Sequence, residues 1–378
     1  MELVSLFILL EIIKLKTNMN KLYNAWINET GEKAPATVSI EPTIRCNMHC
    51  PMCDRTHKED FRKHMEGEMS TELLLENIKI LGEMGVKQIL IIGGGEPLFR
   101  KDIVLFLKTI KQQGMICHLW TNGTLFTLEN TPEILKNIDI LTISLDSCYE
   151  DEHDKSRGIK GSYAHIMETL KMINKYREDT LLLRFHSVIS KYNINRLDDM
   201  VDFAIEHGAG ELGGAIINPF EFAPNDMVFN QNDQEMVNNK IRCLIEKANQ
   251  NDIALAGCYN PIFDNKMKEY VSKYNLSKEC ENPTTCFGLW SMSQIRPNGD
   301  VSICCFTYKP IIGNLHKHNF RELWNSPRAK EMRSLVKKGE LLDSACKGCS
   351  LGKAELLNMT ITCENADELL DQIVLSSR

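Results

Sequence analysis

"IRCNMHCPMCDR", residues 44–55, sets Cys46, Cys50 and Cys53 in a C-x3-C-x2-C spacing. The thiolate is the ligand form of cysteine, and a short loop brings three of them to one place. Three ligands differ in kind from four. Structural zinc closes with four, whereas a site that does chemistry keeps a position open. A four-iron cubane held by three thiolates leaves one iron free. His49, between the first two cysteines, is a nominal fourth ligand for zinc, but its place on so short a loop makes that tetrahedron awkward. Plain buried cysteines are the remaining alternative.

The flanking sequence says where this loop sits. "ATVSIEPTIR" (36–45) reads as the strand that leads into it. Beyond it, helix and strand patterns alternate. Ser70 and Thr71 are good N-caps for a helix with Leu73, Leu74, Ile78 and Leu81 at helical spacing, closed by Gly85. Strands are expected over 87–93, 115–123, 138–146, 180–190 and 210–219, with helices between them, and 253–257 is a candidate last strand. Apolar runs separated by helices argue for a parallel sheet with both faces covered. A partial (β/α)6 TIM-like barrel satisfies this, as does an open doubly wound sheet. In either, ligands bind at the C-terminal ends of the strands, where the cysteine loop lies.

After about residue 277 the pattern changes. "LWSMSQIRPNGDVSICCF" (289–306) reads as a β-hairpin turning at Pro297-Asn298-Gly299-Asp300. Residues 320–339 give two helices separated by Pro327. The expected organisation is an N-terminal extension (1–35), an α/β core (36–260), a separate hairpin-and-helix module (277–363) and a tail (364–378).

The chain has 378 residues, a formal charge of −7 and 14 cysteines. Its mild acidity and scattered Lys and Arg give no footprint for nucleic acid. The opening apolar run lacks a basic start and a small-residue cleavage site, and Glu11 and Lys14 interrupt it. It reads as an amphipathic helix, with a membrane-surface helix or a true start at Met19 as alternatives, and not as an integral membrane segment. A chain that is not exported keeps its cysteines reduced, so a cytoplasmic protein with metal-ligating thiols is expected.

The cysteine loop resembles the signature of the radical S-adenosylmethionine superfamily, with Met52 where an aromatic residue is usual. Further motifs support the resemblance. "GGGEP" (93–97) follows the second expected strand, "TNG" (121–123) the third and "SLDS" (144–147) the fourth. The resemblance implies that Cys46, Cys50 and Cys53 hold a [4Fe–4S] cluster whose open iron takes S-adenosylmethionine. It also implies cofactor contacts at Gly94, Gly95, Glu96, Pro97 and Asn122, with Ser144 and Asp146 near the ribose. In such enzymes one electron cleaves the sulfonium, and the 5′-deoxyadenosyl radical abstracts hydrogen from a substrate.

Cys286, Cys304, Cys346 and Cys349 combine two separated cysteines with a C-x2-C, a pattern shared with zinc ribbons. Their context is similar to the auxiliary-cluster modules called SPASM or Twitch. A full SPASM module would have a further cysteine where Glu355 stands, so the resemblance implies one closed auxiliary [4Fe–4S] cluster. Cys280, Cys305 and Cys363 are spare thiols that could replace a ligand. Cys117, Cys148, Cys243 and Cys258 read as core or loop residues.

A closed second cluster implies an electron acceptor, hence a net oxidation of a small molecule such as a sugar or aminocyclitol. Peptide modification is the alternative, and a non-catalytic zinc-stabilised binding module a more distant one. A flavodoxin- or ferredoxin-type donor is the implied electron source. Arg184, His186 and Glu211, on the fifth and sixth expected strands, are candidates for substrate contact.

Overall fold

The computed structural model describes residues 34–64, 67–217, 223–257, 288–304 and 310–338, together with 340 and 342. Seven parallel strands run in sequence order: β1 (Thr37–Ile40), β2 (Gln88–Ile91), β3 (Ile116–Thr121), β4 (Ile140–Ser144), β5 (Leu182–Ile189), β6 (Glu211–Ile216) and β7 (Ala254–Gly257). Between them lie α1 (Thr71–Met84), α2 (Ile103–Gln112), α3 (Thr131–Lys136), α4 (Glu150–Arg157), α5 (Ser162–Tyr176), α6 (Asp199–Glu206) and α7 (Gln234–Gln250). This is the partial barrel of alternating strands and helices that the sequence pattern calls for.

Local chemistry sets the element ends. Ser70 Oγ accepts the Leu73 N–H at 3.2 Å, and Gly85 closes α1 in the left-handed region at φ 89°. Between α1 and the sheet, Leu74, Ile78 and Leu81 are buried with Ile89 and Ile91 in one continuous apolar core.

The strands are not apolar throughout. On β3 to β6 the alternate residues are polar and meet on the inner face. His118 Nε2 lies 2.7 Å from Thr142 Oγ1, Trp120 Nε1 donates to Ser144 Oγ at 3.0 Å, and Arg184 pairs with Glu211 at 2.6 Å. Period-two side-chain alternation therefore gives the barrel an apolar outer layer under the helices and a polar lumen.

The hairpin expected as a separate module continues the same sheet. β8 (Met292–Ile295) pairs in parallel with β1, and β9 (Asp300–Ser302) and β10 (Ile311–Asn314) follow antiparallel, so the order is β10-β9-β8-β1-β2-β3-β4-β5-β6-β7. The turn falls where expected: the Gly299 N–H donates to the Arg296 carbonyl at 3.0 Å, and Gly299 has φ 85°. The last described helices are α8 (Phe320–Trp324) and α9 (Pro327–Lys337). α8 docks on the barrel: the Phe320 N–H donates to Oδ1 of buried Asn77 on α1 at 3.1 Å. Buried Arg333 on α9 bonds the Leu289 and Trp324 carbonyls.

The sequence pattern shows no helix between 146 and 162, yet α4 occupies Glu150–Arg157. Its sequence, EDEHDKSR, has no apolar stripe to reveal it. Acidic residues in its first turn and basic residues in its last complement the helix dipole, and Gly158 caps it at φ 68°.

Candidate functional site

The cysteine loop leaves the C-terminal end of β1 and is gripped by the loops that follow its neighbours. An added Cβ on Gly95 would fall 2.2 Å from the Arg45 carbonyl oxygen, so only glycine lets the two loops touch. The Glu96 N–H donates to that carbonyl at 2.8 Å. Asn122 Nδ2 donates to Asn47 Oδ1 at 2.9 Å, and Asn47 Nδ2 donates to Thr124 Oγ1 at 2.8 Å. On the far side, a Cβ on Gly158 would lie 2.4 Å from the His49 carbonyl oxygen. Within the loop, the Cys53 N–H donates to the Cys50 carbonyl at 3.1 Å, Met48 N–H reaches Cys46 Sγ at 3.4 Å, and Arg55 bonds the Met48 carbonyl.

Cys46, Cys50 and Cys53 line one cavity of about 300 Å³ at the C-terminal mouth of the barrel. Gly94, Gly95, Glu96, Asn122 and Ser144 line it too, bringing together residues from four successive strand ends. Burial pushes the Cys46 thiol up and the Cys50 thiol to about 11. Such thiols keep their protons until a metal displaces them. Among the described residues, no three His, Cys, Asp or Glu side chains converge as ligands of a single metal ion would. Three thiols lining one cavity fit a cluster, in which each thiolate takes a different iron.

Other expected contacts have different places. Pro97 is buried as the first residue of a 3-10 turn (Pro97–Phe99) and is not among the lining residues. Asp146 is fully buried and also does not line the cavity. Its carboxylate accepts from Ser156 Oγ, from Arg157 and from the Val188 N–H, which leaves it facing protein and not a ribose. Glu96 lines the cavity, yet its carboxylate already accepts from Thr121 Oγ1, the Asn122 N–H and the Leu98 N–H.

Of the candidate substrate residues, His186 reaches the cavity, packed 4.6 Å from the Trp120 ring. Burial lowers its pKa to about 4, so it is neutral at physiological pH. Arg184 and Glu211 lie on the lumen face and neutralise each other. Sequence reasoning missed Arg55, Arg157 and Trp120, which also line the cavity. Arg55 lies two residues after the last cysteine of the loop. Arg157 ends the helix that carries no periodic signal.

The auxiliary set is described only at Cys304, which follows β9 and whose N–H bonds Ser302 Oγ at 3.2 Å. Cys286, Cys346 and Cys349 lie outside the described residues, as do Cys280, Cys305, Cys363 and Cys258. Cys117 is a core residue, while Cys243 is exposed on α7, neither core nor loop. No helix among the described residues is long and apolar enough to cross a membrane.

Comparison with known proteins agrees with this geometry. The Radical SAM superfamily model matches residues 40–204, and the SPASM iron–sulfur cluster-binding domain model matches 286–350. An AdoMet-dependent heme synthase of Methanosarcina barkeri is 25% identical over 332 residues, covering 85% of this chain and 90% of that one. A PqqA peptide cyclase of Methylorubrum extorquens is 25% identical over 303 residues, covering 78% and 73%. In fold, the chain is similar to Streptococcus suis SuiB bound to S-adenosylmethionine, with TM-score 0.62, 19% identity and coverage of 84% and 71%. It is also similar to anSMEcpe with bound AdoMet and Kp18Cys peptide, with TM-score 0.61, 17% identity and coverage of 84% and 88%. The chain belongs to the radical S-adenosylmethionine superfamily, with a C-terminal SPASM module, and its cofactors are S-adenosylmethionine and two [4Fe–4S] clusters.

Proposed function

We propose that this enzyme oxidises a small molecule seated in the polar barrel lumen, with Cys46, Cys50 and Cys53 holding the radical-generating cluster. The observation that carries the reading is the shared cavity, which joins the three thiols to the glycine loop, Ser144 and His186. When bound, the reduced cluster supplies the electron that cleaves S-adenosylmethionine to methionine and the 5′-deoxyadenosyl radical.

The chain's own residues orient and shield. The Gly94-Gly95 backbone allows close approach of the methionine moiety, and Glu96 and Asn122 fix that loop against the cysteine loop. Ser144 and Trp120, bonded to each other, line the same cavity. Neutral His186 faces the same space as a hydrogen-bonding group that carries no charge. The match beginning at Cys286 and ending just beyond Cys349 supports Cys286, Cys304, Cys346 and Cys349 as ligands of a closed auxiliary cluster. When bound there, that cluster would supply an acceptor for the electron left on the substrate. A flavodoxin- or ferredoxin-type donor in a reducing cytoplasm supplies the first one.

The small-molecule reading draws support from the relative named for heme synthesis, whose match spans nearly the whole of both chains. Peptide modification is the second reading, favoured by the relative named PqqA peptide cyclase. The test is to reduce the anaerobically reconstituted protein, add S-adenosylmethionine, and measure 5′-deoxyadenosine. Release that a protease-treated small-molecule extract stimulates supports the proposal. Stimulation lost on protease treatment favours the peptide. No cleavage overturns both.

A further inference from the structure

Arg157 is held where its charge bears on one particular cysteine. Its Nη2 donates to Asp146 Oδ1 at 2.6 Å. Asp146 cannot turn away, because Oδ1 also accepts the Val188 N–H at 2.8 Å and Oδ2 accepts Ser156 Oγ at 2.5 Å. The Asp146 carbonyl accepts from Asn193 Nδ2 at 2.6 Å, and its N–H donates to His153 Nδ1 at 3.3 Å. Arg157 is itself nine-tenths buried and lines the same cavity as Cys50. Its Nε has no hydrogen-bond partner. The helix end that carries it is pressed onto the backbone just before Cys50, through Gly158 against the His49 carbonyl. From there the guanidinium and the Cys50 thiol line the same cavity, and the Arg157 charge acts on that sulfur.

We propose that Arg157, aimed by Asp146, donates to the Cys50 sulfur in the loaded enzyme and raises the reduction potential of the cluster at Cys46, Cys50 and Cys53. This rests on the reading of those three cysteines as cluster ligands. Reduction adds one electron to the cluster and so adds negative charge to its sulfurs. A cation with a hydrogen-bond donor at one sulfur favours the reduced form over the oxidised one. The other cation of the cavity, Arg55, is turned onto the Met48 carbonyl, and the Asp146 carboxylate is paired with Arg157. Asp146 is thus a positioning residue in the second layer, where a ribose contact was expected.

The test is a redox titration of the full-length reconstituted protein, followed by electron paramagnetic resonance, without S-adenosylmethionine. The first cluster is identified beforehand as the signal that S-adenosylmethionine alters. Arg157→Gln is expected to keep its iron and to move that midpoint to more negative potential. Arg157→Lys keeps the charge but loses the fork, and is expected to fall between. A midpoint for Arg157→Gln equal to wild type, with iron and signal retained, overturns the proposal. If Arg157→Gln does not load iron, Arg157→Lys decides: a negative shift supports the proposal, and an unchanged midpoint overturns it. A wild type with no S-adenosylmethionine-sensitive signal overturns the cluster reading itself, a result distinct from an unmoved midpoint.

Discussion

The Asn122 N–H donates to Glu96 Oε2 at 2.7 Å while Thr121 Oγ1 donates to Glu96 Oε1 at 2.6 Å, so one buried carboxylate ties the loop after β2 to the end of β3. The Leu98 N–H adds a third donor at 3.1 Å. Glu96→Gln places an amide N–H₂ against donors. It should cost about 1–3 kcal/mol of stability and weaken S-adenosylmethionine binding. Urea unfolding and equilibrium dialysis measure the two effects, and wild-type values in both would remove Glu96 from the account.

Gly158 makes a sharper case for close approach. Its φ of 68° and the His49 carbonyl 2.4 Å from a built Cβ both exclude a side chain. Gly158→Ala should push the cysteine loop outward. The expected outcome is less iron per chain after reconstitution, with helix content by circular dichroism little changed. Full iron loading would show that the loop seats without this contact.

Arg184 and Glu211 are register partners on β5 and β6, mostly buried, and bonded at 2.6 Å. Removing one partner leaves a charge without its counterpart. Glu211→Gln should destabilise by about 3 kcal/mol, and the double variant Arg184→Met/Glu211→Leu by less. A double variant no more stable than the single would mean that the pair is not coupled. Full substrate turnover in the double variant would exclude both residues from substrate recognition.

Glu41 follows β1 where β8 joins the sheet. Its Oε1 accepts from Gln294 Nε2 at 2.6 Å, and its Oε2 is buried without a partner. Burial raises its pKa from 4.5 to about 7, against the opposing pull of Arg296 and Gln294. The folded chain therefore holds a proton that the unfolded chain has released. Its contribution is fully present below about pH 4.5 and is lost as pH rises towards 7, up to about 3 kcal/mol. Urea midpoints of wild type and Glu41→Gln across that window should differ in slope, the wild type losing stability and the variant lacking this loss. Parallel slopes would contradict the assignment.

The sequence showed most clearly what short-range chemistry dictates. Ser70 and Gly85 marked α1, Pro297 to Asp300 marked the hairpin turn, and the cysteine spacing marked the site. Less was legible where partners are distant in sequence. Nothing local to Met292–Ile295 says that β8 pairs with β1, a contact more than 250 residues away. Helix α4 has charged residues where a stripe would be, so periodicity passed over it, and with it Arg157. Asp146 looked like a ligand-facing carboxylate at a strand end. Its partners Ser156, Arg157 and Val188 all come from later elements, and only the fold shows that they enclose it.

The most direct test of the central claim is iron and acid-labile sulfide per chain after anaerobic reconstitution, in wild type and in the Cys46→Ala/Cys50→Ala/Cys53→Ala variant. Two cubanes predict about 8 iron in the wild type and about 4 in the variant. A wild type near 4 iron that falls to near zero would contradict the second cluster and the oxidation built on it. Equal iron in the two proteins would contradict the assignment of Cys46, Cys50 and Cys53.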